Sequence, residues 1–507
     1  MKNFKLNKLN KPNKLNKRTA GELQHRGTAP PEFFASNLKR SPAPNGTGRS
    51  DPPTSNQGEP NEPGEPNKLN KLMMFFIALL IIGGPLIARA DFEDFISKFQ
   101  PYITVQEEYT SNVDLTPTNR KEDYITTVYP GLKFSTLPRG ATTGERQAPA
   151  AEQKYGMDLD LQAGLVFYAK EKDNNYTSLN GALNAWYLFG QRLSFRVRDY
   201  LIRSDELRES EYSATAIEGQ YLLSTTRKRV IYSRNVFEPS LYYQFGRENR
   251  ISINYRNNIY EVQGQTFGDS QENYVNPRLI YWFNIRHGIT LEYGLTLGDF
   301  ERSPDLLGHM ATGRYTYRFN PETSIFGEYM FLIRDFESPS TDYDVHRPSL
   351  GMSHAFSPTL SGSAQAGYFW QNPEKGSRTG GFYYDMSLTQ RAEKTTYTLS
   401  FQGGYTEDYF TAENLGFTKY YRGIGTISHR LLERMSAGLS GYVERAEYPS
   451  DLADRKDLIW GIRANLSYEI LKWLSVSLNG SRRENHSNIN TFDYSEYRGI
   501  FRITASF

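Results

Sequence analysis

The sequence predicts an all-β chain, a transmembrane antiparallel up-and-down β-barrel of about twenty strands, preceded by a disordered leader and a signal peptide. Three observations predict it. A period of two runs from residue 91 to the end, the alternating runs are often ten or more residues long, and the connections between them alternate between short and long.

Composition narrows the field first. The 507 residues contain 36 Tyr and 30 Phe and no cysteine, which excludes a disulfide framework, a Cys-ligated metal site and a thiol nucleophile. Only one stretch approaches the length of a spanning helix, so a polytopic helical membrane protein is excluded. The formal charge of +2 is unevenly placed: residues 1–90 carry 14 Lys/Arg against 6 Asp/Glu, and the remainder 45 against 51. The basic balance belongs to the leader, and no nucleic-acid partner follows from it.

Residues 1–67 are read as a low-complexity extension. They hold the near-repeat KLNKLNKPNKLNK and a Pro/Gly/Asn/Ser-rich run, with too few apolar side chains to offset the entropy of ordering. Residues 68–90 are read as a signal peptide: Lys68 and Lys71 flank the apolar run Leu72 to Ile82, and Ala88-Arg89-Ala90 closes it, with cleavage between Ala90 and Asp91. A signal peptide belongs at an N-terminus, so the first 67 residues are expected to reflect an early-called start, with translation beginning near Leu69. A genuine disordered extension is the other reading.

From Asp91 the barrel domain, 91–507, begins. Leu458, Trp460, Ile462, Ala464, Leu466, Tyr468 and Ile470 share one face, with Ile459, Gly461, Arg463, Asn465, Ser467 and Glu469 between them. Ile289, Leu291, Tyr293, Leu295 and Leu297 repeat the pattern, as do Tyr397, Leu399 and Phe401. A soluble sandwich also alternates, but globular strands average about five or six residues and spanning strands need about 9–11. The short connections follow Phe189, Phe245, Phe283, Phe319 and Phe356, and these aromatics are expected to ring one membrane interface. The longer, polar ones are expected at 204–228, 262–272, 300–309, 335–343, 406–416, 446–456 and 484–493. Upward strands are expected to begin near 100, 156, 192, 250, 288, 323, 359, 394, 434 and 472, each with a downward partner. Eighteen strands is the next count, because 137–155 is long for a short-side turn. Pro130, Pro239, Pro277 and Pro348, with Gly423 and Gly499, recur in the downward strands. They are read either as bulges or bends at one height or as residues inherited by hairpin duplication.

The last strand places Tyr497, Gly499, Phe501, Ile503, Ala505 and Phe507 on one face. A terminal Phe behind alternating apolar residues resembles the assembly signal of bacterial outer-membrane barrels. The opening Tyr102-Ile103-Thr104-Val105-Gln106-Glu107-Glu108-Tyr109, the run Asp123-Tyr124-Ile125-Thr126-Thr127-Val128-Tyr129-Pro130-Gly131-Leu132, and later Arg234-Asn235-Val236-Phe237 resemble the β-barrel porins of the porin-2 type and related outer-membrane barrels of exopolysaccharide loci. The resemblance implies an outer-membrane location and a channel for small solutes or polysaccharide. It implies as partners outer-membrane lipid and lipopolysaccharide, the barrel assembly machinery and components of polysaccharide export. It carries no catalytic residue and no cofactor.

If the apolar face meets lipid, the alternate face lines the lumen. Asp158, Asp160, Arg196, Arg198, Arg256, Arg278, Glu292, Arg314, Arg318, Glu328, Arg334, Arg463, Arg498 and Arg502 lie on it. Arginines outnumber acids, which would favour anions; the blander expectation is that these groups pair across neighbouring strands. The long loops look acidic, with Asp205, Glu206, Glu209, Glu211, Asp335, Glu337, Asp342, Asp344, Asp451 and Asp454. No metal-ligand spacing joins His287, His309, His346, His354, His429 and His486. His309 and His346 lie near the expected outer loops with Asp305, Asp342 and Asp344 nearby, which leaves a hydrolytic dyad as an alternative, and the chain is read as a non-enzyme. A non-conducting structural or interaction barrel, plugged by 137–155 or 204–228, is the remaining class. N-terminal sequencing of the exported protein is expected to begin Asp91-Phe92-Glu93.

Overall fold

A computed structural model describes residues 98–136, 154–205, 230–263, 268–338, 340–410, 416–449 and 454–507. The extension, the signal peptide with Ala90 and Asp91, and Glu206, Glu209, Glu211 and Asp451 lie outside the described residues, as do nearly all of the two segments considered as plugs.

Twenty strands form: β1 (Phe99–Thr110), β2 (Asp123–Ser135), β3 (Tyr155–Tyr168), β4 (Tyr176–Phe189), β5 (Leu193–Ser204), β6 (Tyr232–Gln244), β7 (Arg250–Val262), β8 (Ser270–Trp282), β9 (His287–Phe300) and β10 (Leu306–Arg318) make up the first half. The second half is β11 (Thr323–Phe336), β12 (Tyr343–Ser357), β13 (Leu360–Pro373), β14 (Thr379–Arg391), β15 (Thr395–Asp408), β16 (Gly416–Leu432), β17 (Met435–Tyr448), β18 (Arg455–Leu471), β19 (Leu474–Ser487) and β20 (Tyr494–Ser506). Each pairs antiparallel with its successor, and β20 returns to β1, from Tyr102 opposite Ser506 to Thr110 opposite Arg498. The sheet therefore closes as an all-β barrel of twenty strands, and the eighteen-strand alternative is set aside. β1 is a full strand, and β2 and β3 are full strands on either side of the long 136–154 connection.

The remaining connections at that end are tight, from 358–359 to 245–249. At the opposite end several loops are shorter than the sequence suggests, because alternation continues through polar residues. β10 begins at Leu306, inside the expected 300–309 loop, and β11 extends to Phe336. Asp335, Asp344, His309 and His346 consequently sit on strands.

Alternation fixes two faces. On β1, Tyr102, Thr104, Gln106, Glu108 and Thr110 are buried while Ile103, Val105 and Glu107 are exposed. The exposed set around the ring is apolar, with Leu291, Leu399, Phe401, Leu439, Ile462 and Leu478 among its members. Near the tight turns it becomes aromatic. Tyr187 packs on Phe189 at 4.6 Å, Tyr281 on Phe283 at 5.0 Å, Tyr317 on Phe319 at 4.7 Å and His354 on Phe356 at 4.5 Å. Such a girdle of amphipathic rings is at home in the interfacial layer of a bilayer.

The four prolines act without shifting register. At Pro130, Pro239, Pro277 and Pro348 the ladder to the following strand skips two positions and then resumes. A proline has no N–H to donate, so the rung is lost while the strand continues. The expected bulges are not at these points. Register shifts occur instead beside tight turns, at Ala355/Ser357, Arg430/Leu432 and Glu469/Leu471. At Gly423 and Gly499 the ladders are uninterrupted.

Adjacent residues of β15 separate the two faces experimentally. Phe401→Arg, on the apolar outer face, is expected to lower stability in lipid vesicles by about 2–4 kcal/mol, and Ser400→Arg, facing inward, by far less. Denaturant titration of the folded protein in vesicles reads the difference.

Candidate functional site

The candidate site is the interior of the ring, whose inward charges are organised as cross-strand pairs. Opposite charges on facing or diagonal positions of neighbouring strands are within reach of one another, the long arginine side chain spanning the diagonal, which makes such pairing cheap to form. Arg256 on β7 meets Glu272 on β8 at 2.6 Å, and Arg278 on β8 meets Glu292 on β9 at 3.7 Å. Arg314 on β10 and Arg347 on β12 converge on Glu328 of β11, at 2.5 and 3.2 Å, and Gln365 of β13 donates to the same carboxylate at 3.0 Å. Farther round, Arg198 meets Glu238 at 3.1 Å, Arg422 meets Glu444 at 3.0 Å and Arg498 meets Glu108 at 2.6 Å.

The other residues expected in the lumen lie on the same face. Arg502 donates to the Gln106 amide oxygen at 2.5 Å. Asp158 accepts from Ser135, and Asp160 from Tyr102 at 2.8 Å. Arg196 faces Trp186 and Ser240, and Arg463 faces Ser440 and Ser481. Arg318 stands at the tight-turn rim, 2.9 Å from Glu248, whose carboxyl its hydrogen bond holds below the usual carboxylate range. Several arginines also sit over inward rings: Arg314 over Phe326 at 4.2 Å, Arg347 over Tyr383 at 4.2 Å and Arg318 over Trp282 at 4.0 Å. The arginine excess visible in the sequence is thus largely met by carboxylates and aromatic faces.

Arg334 has a different partner. It reaches from β11 to Glu407 of β15, with both carboxylate oxygens engaged at 3.0 and 2.6 Å. These strands are four apart in the ring, and the pair exists because the long-loop end of β15 leaves the wall. β14 pairs with β15 from Arg391 opposite Thr396 only as far as Tyr384 opposite Gly403, although both strands continue beyond. β15 and β16 stay paired up to Asp408 opposite Gly416, so the end of the hairpin departs as a unit. The departure falls at Gly403-Gly404. A Cβ on Gly403 would lie 2.5 Å from Tyr384 and 2.6 Å from Tyr421, and Gly404 has φ +156°.

Past that point the hairpin packs on the inward faces of β9 to β14. Phe369 and Val345, fully buried, with Met330, Leu332 and Tyr343 form a wall cluster with Phe417, against which Tyr383 and Tyr405 pack. The Tyr405 ring lies 4.8 Å from Phe417 and 5.1 Å from Phe369, and Phe410 stacks on Phe300 of β9 at 5.2 Å. The Tyr343 hydroxyl donates to Glu407 and lies 2.7 Å from that of Tyr409. Burial, with Glu407 beside it, pushes the Tyr409 hydroxyl well above its ordinary pKa. Sequence reading placed 406–416 in a polar loop and missed Tyr343, Tyr405, Glu407, Tyr409 and Phe417. The one local signal was the Gly-Gly pair inside a strand.

The proposed dyads do not assemble on loops. His346 Nε2 lies 3.0 Å from Asp344 and its Nδ1 2.6 Å from the Tyr329 hydroxyl, on the outer face of the wall. His309 meets Tyr293 in the same way, at 2.7 Å. Asp305 and Asp342 accept backbone N–H groups of Phe300 and Phe336 and so cap turns. Among the described residues no cluster of three or more His, Asp or Glu could hold a metal ion. On β20, Phe501 and Ile503 are exposed outward, and the Phe507 N–H donates to the Pro101 carbonyl at 2.8 Å, which ties the chain end to β1.

Glu328→Gln is expected to destabilise the barrel by about 2 kcal/mol, since it leaves Arg314 and Arg347 facing a neutral group. The temperature at which the folded band is lost in gel mobility measures it, and Arg347→Gln alone is expected to cost less.

No curated protein matches the chain in sequence. In structure the chain is similar to Pseudomonas aeruginosa OccK2 (OpdF), at 10% identity and a TM-score of 0.40, with 82% of this chain and 99% of that one covered. It is similar to Acinetobacter baumannii OccAB4 at 12% identity and a TM-score of 0.39, with 81% and 98% covered. The siderophore receptor PirA of Pseudomonas aeruginosa matches at 9% identity and a TM-score of 0.43, over 81% of this chain and 80% of that one. Residues 304–507, which hold β10 to β20, match the model of the family described as "Putative beta-barrel porin 2", so the porin-type barrel that the opening strands resemble is also the one that the last eleven strands match.

Proposed function

We propose that this chain is a porin-like channel of the bacterial outer membrane that passes small hydrophilic solutes through the barrel interior. The observation that carries the proposal is the closed ring of twenty strands, apolar outside and charged inside. Barrels of 16–18 strands already enclose an aqueous channel, and a ring of twenty is wider than side chains alone fill. The tight-turn end, with its aromatic girdle, is assigned to the periplasm and the long-loop end to the cell exterior, as in barrels of this kind. The partners that follow are outer-membrane lipid and lipopolysaccharide around the wall and the assembly machinery at Phe507.

The pairing of inward arginines with carboxylates favours weak ionic selectivity over the strong anion preference that the sequence suggests. The narrowing by the β15–β16 hairpin favours small solutes over an extended polysaccharide. A barrel that conducts nothing and serves an export system as a partner is the second reading, favoured by the same hairpin. No catalytic role is proposed, since the Asp344–His346 pair faces outward beside Tyr329 and aromatic rings.

The protein purified from membranes is expected to give ohmic current steps in planar bilayers and a reversal potential within a few millivolts of zero in a salt gradient. Bilayers that stay silent at all voltages would sink the channel reading.

A further inference from the structure

We infer that the tucked ends of β15 and β16 are the restriction that sets the channel's conductance and size limit, and that Arg334, Tyr343 and Glu407 hold this restriction in the lumen. The inference rests on the channel reading above and adds to it the element that decides what passes.

The hairpin could have continued in the wall. Positions 405, 407, 409 and 417 would then have faced outward beside Tyr384 and Tyr421, and a carboxylate at Glu407 would have been turned toward the bilayer edge. Charge on that face is costly at a rate that depends on depth. Folding inward removes this cost twice over. Tyr405 and Phe417 are buried against Met330, Val345 and Phe369, and Glu407 meets a guanidinium. The Arg334 and Glu407 side chains retain only 12% and 13% of their exposure, so water screens their attraction poorly.

The two kinds of contact have different roles. The apolar layer is non-directional and would tolerate sliding of the hairpin along the wall. The bidentate Arg334–Glu407 pair with the Tyr343 hydroxyl fixes one position, because planar two-point recognition is specific in register. The packed segment reaches from Tyr383 on β14 to Phe300 on β9, so it covers the inward faces of six neighbouring strands toward the long-loop end and takes up lumen space there. Bare backbone at Gly403-Gly404 gives the strand its turning point past Tyr384 and Tyr421.

The test uses the full-length protein from membranes. Glu407→Gln leaves Arg334 without its counter-charge and is expected to raise single-channel conductance by roughly two-fold or more, and to admit larger neutral sugars in liposome swelling. Restoring the pair in reverse, Arg334→Glu with Glu407→Arg, is expected to return both readings toward the wild-type level. The chain has no cysteine, so Met330→Cys with Tyr405→Cys can be bridged by a short bifunctional thiol reagent. Before bridging, this variant is expected to conduct more than wild type, and after bridging to fall back. It carries the test alone should Glu407→Gln fail to fold. A conducting wild type whose conductance and size limit are unchanged in Glu407→Gln, and in the cysteine pair before and after bridging, overturns the inference and leaves the channel reading standing. A silent wild type with a conducting Glu407→Gln supports the inference in its extreme form, a closed restriction. Silence in all variants overturns the channel reading together with the inference.

Discussion

In hydrocarbon no water is present to satisfy a backbone amide or carbonyl, so a sheet that spans a bilayer cannot keep an edge. The pairing of β20 with β1 meets that demand, and most of the architecture follows from it. Closure with antiparallel neighbours requires an even succession of up and down strands, so successive connections fall alternately at the two ends of the ring. It gives each strand one face toward lipid and one toward the interior, and so dictates the alternation of Leu, Tyr and Phe with Ser, Arg and Glu. It also ties β1 to β20, so the ring is complete only when β20 has been made.

The interior then has to accommodate the polar half of every strand. Twenty strands bring many side chains of both signs to one concave surface, where unpaired charge would be expensive to desolvate. The pairs along β7 to β12 resolve this locally, each acid taking its cation from the next strand, with Glu328 shared by two arginines and an amide. Such a surface is polar without carrying a strong field of one sign. In the proposed channel selection falls to shape, and among the described residues that shape is altered by the β15–β16 hairpin, whose end leaves the wall.

Much of this was legible in the sequence. The starts of the upward strands agree with the structure to within two residues, because a period of two punctuated by Phe-Gly, Phe-Asn and Phe-Ser turns admits few alternatives. The inward set was legible for the same reason. What alternation does not encode is the surface that a face will meet. Tyr405, Glu407 and Phe417 keep the right spacing for a strand, yet they pack on β9 to β14 and not on lipid, and this is decided by contacts with residues such as Phe369 that lie far away in sequence. Of the acidic residues suggested as loop charges, Asp335 and Asp344 fall on strands for a related reason: β11 and β12 carry polar side chains at their long-loop ends, and a polar run inside a ladder looks like a loop.

The skipped rungs at Pro130, Pro239, Pro277 and Pro348 have a mechanical consequence. Each lies on a downward strand and weakens only the seam toward the next strand, between β2 and β3, β6 and β7, β8 and β9, and β12 and β13. A hoop with compliant joints spaced around its circumference bends there first and stays whole. Lateral pressure from the surrounding lipid is then absorbed by a change from circular to oval cross-section, with the four seams as flexure points.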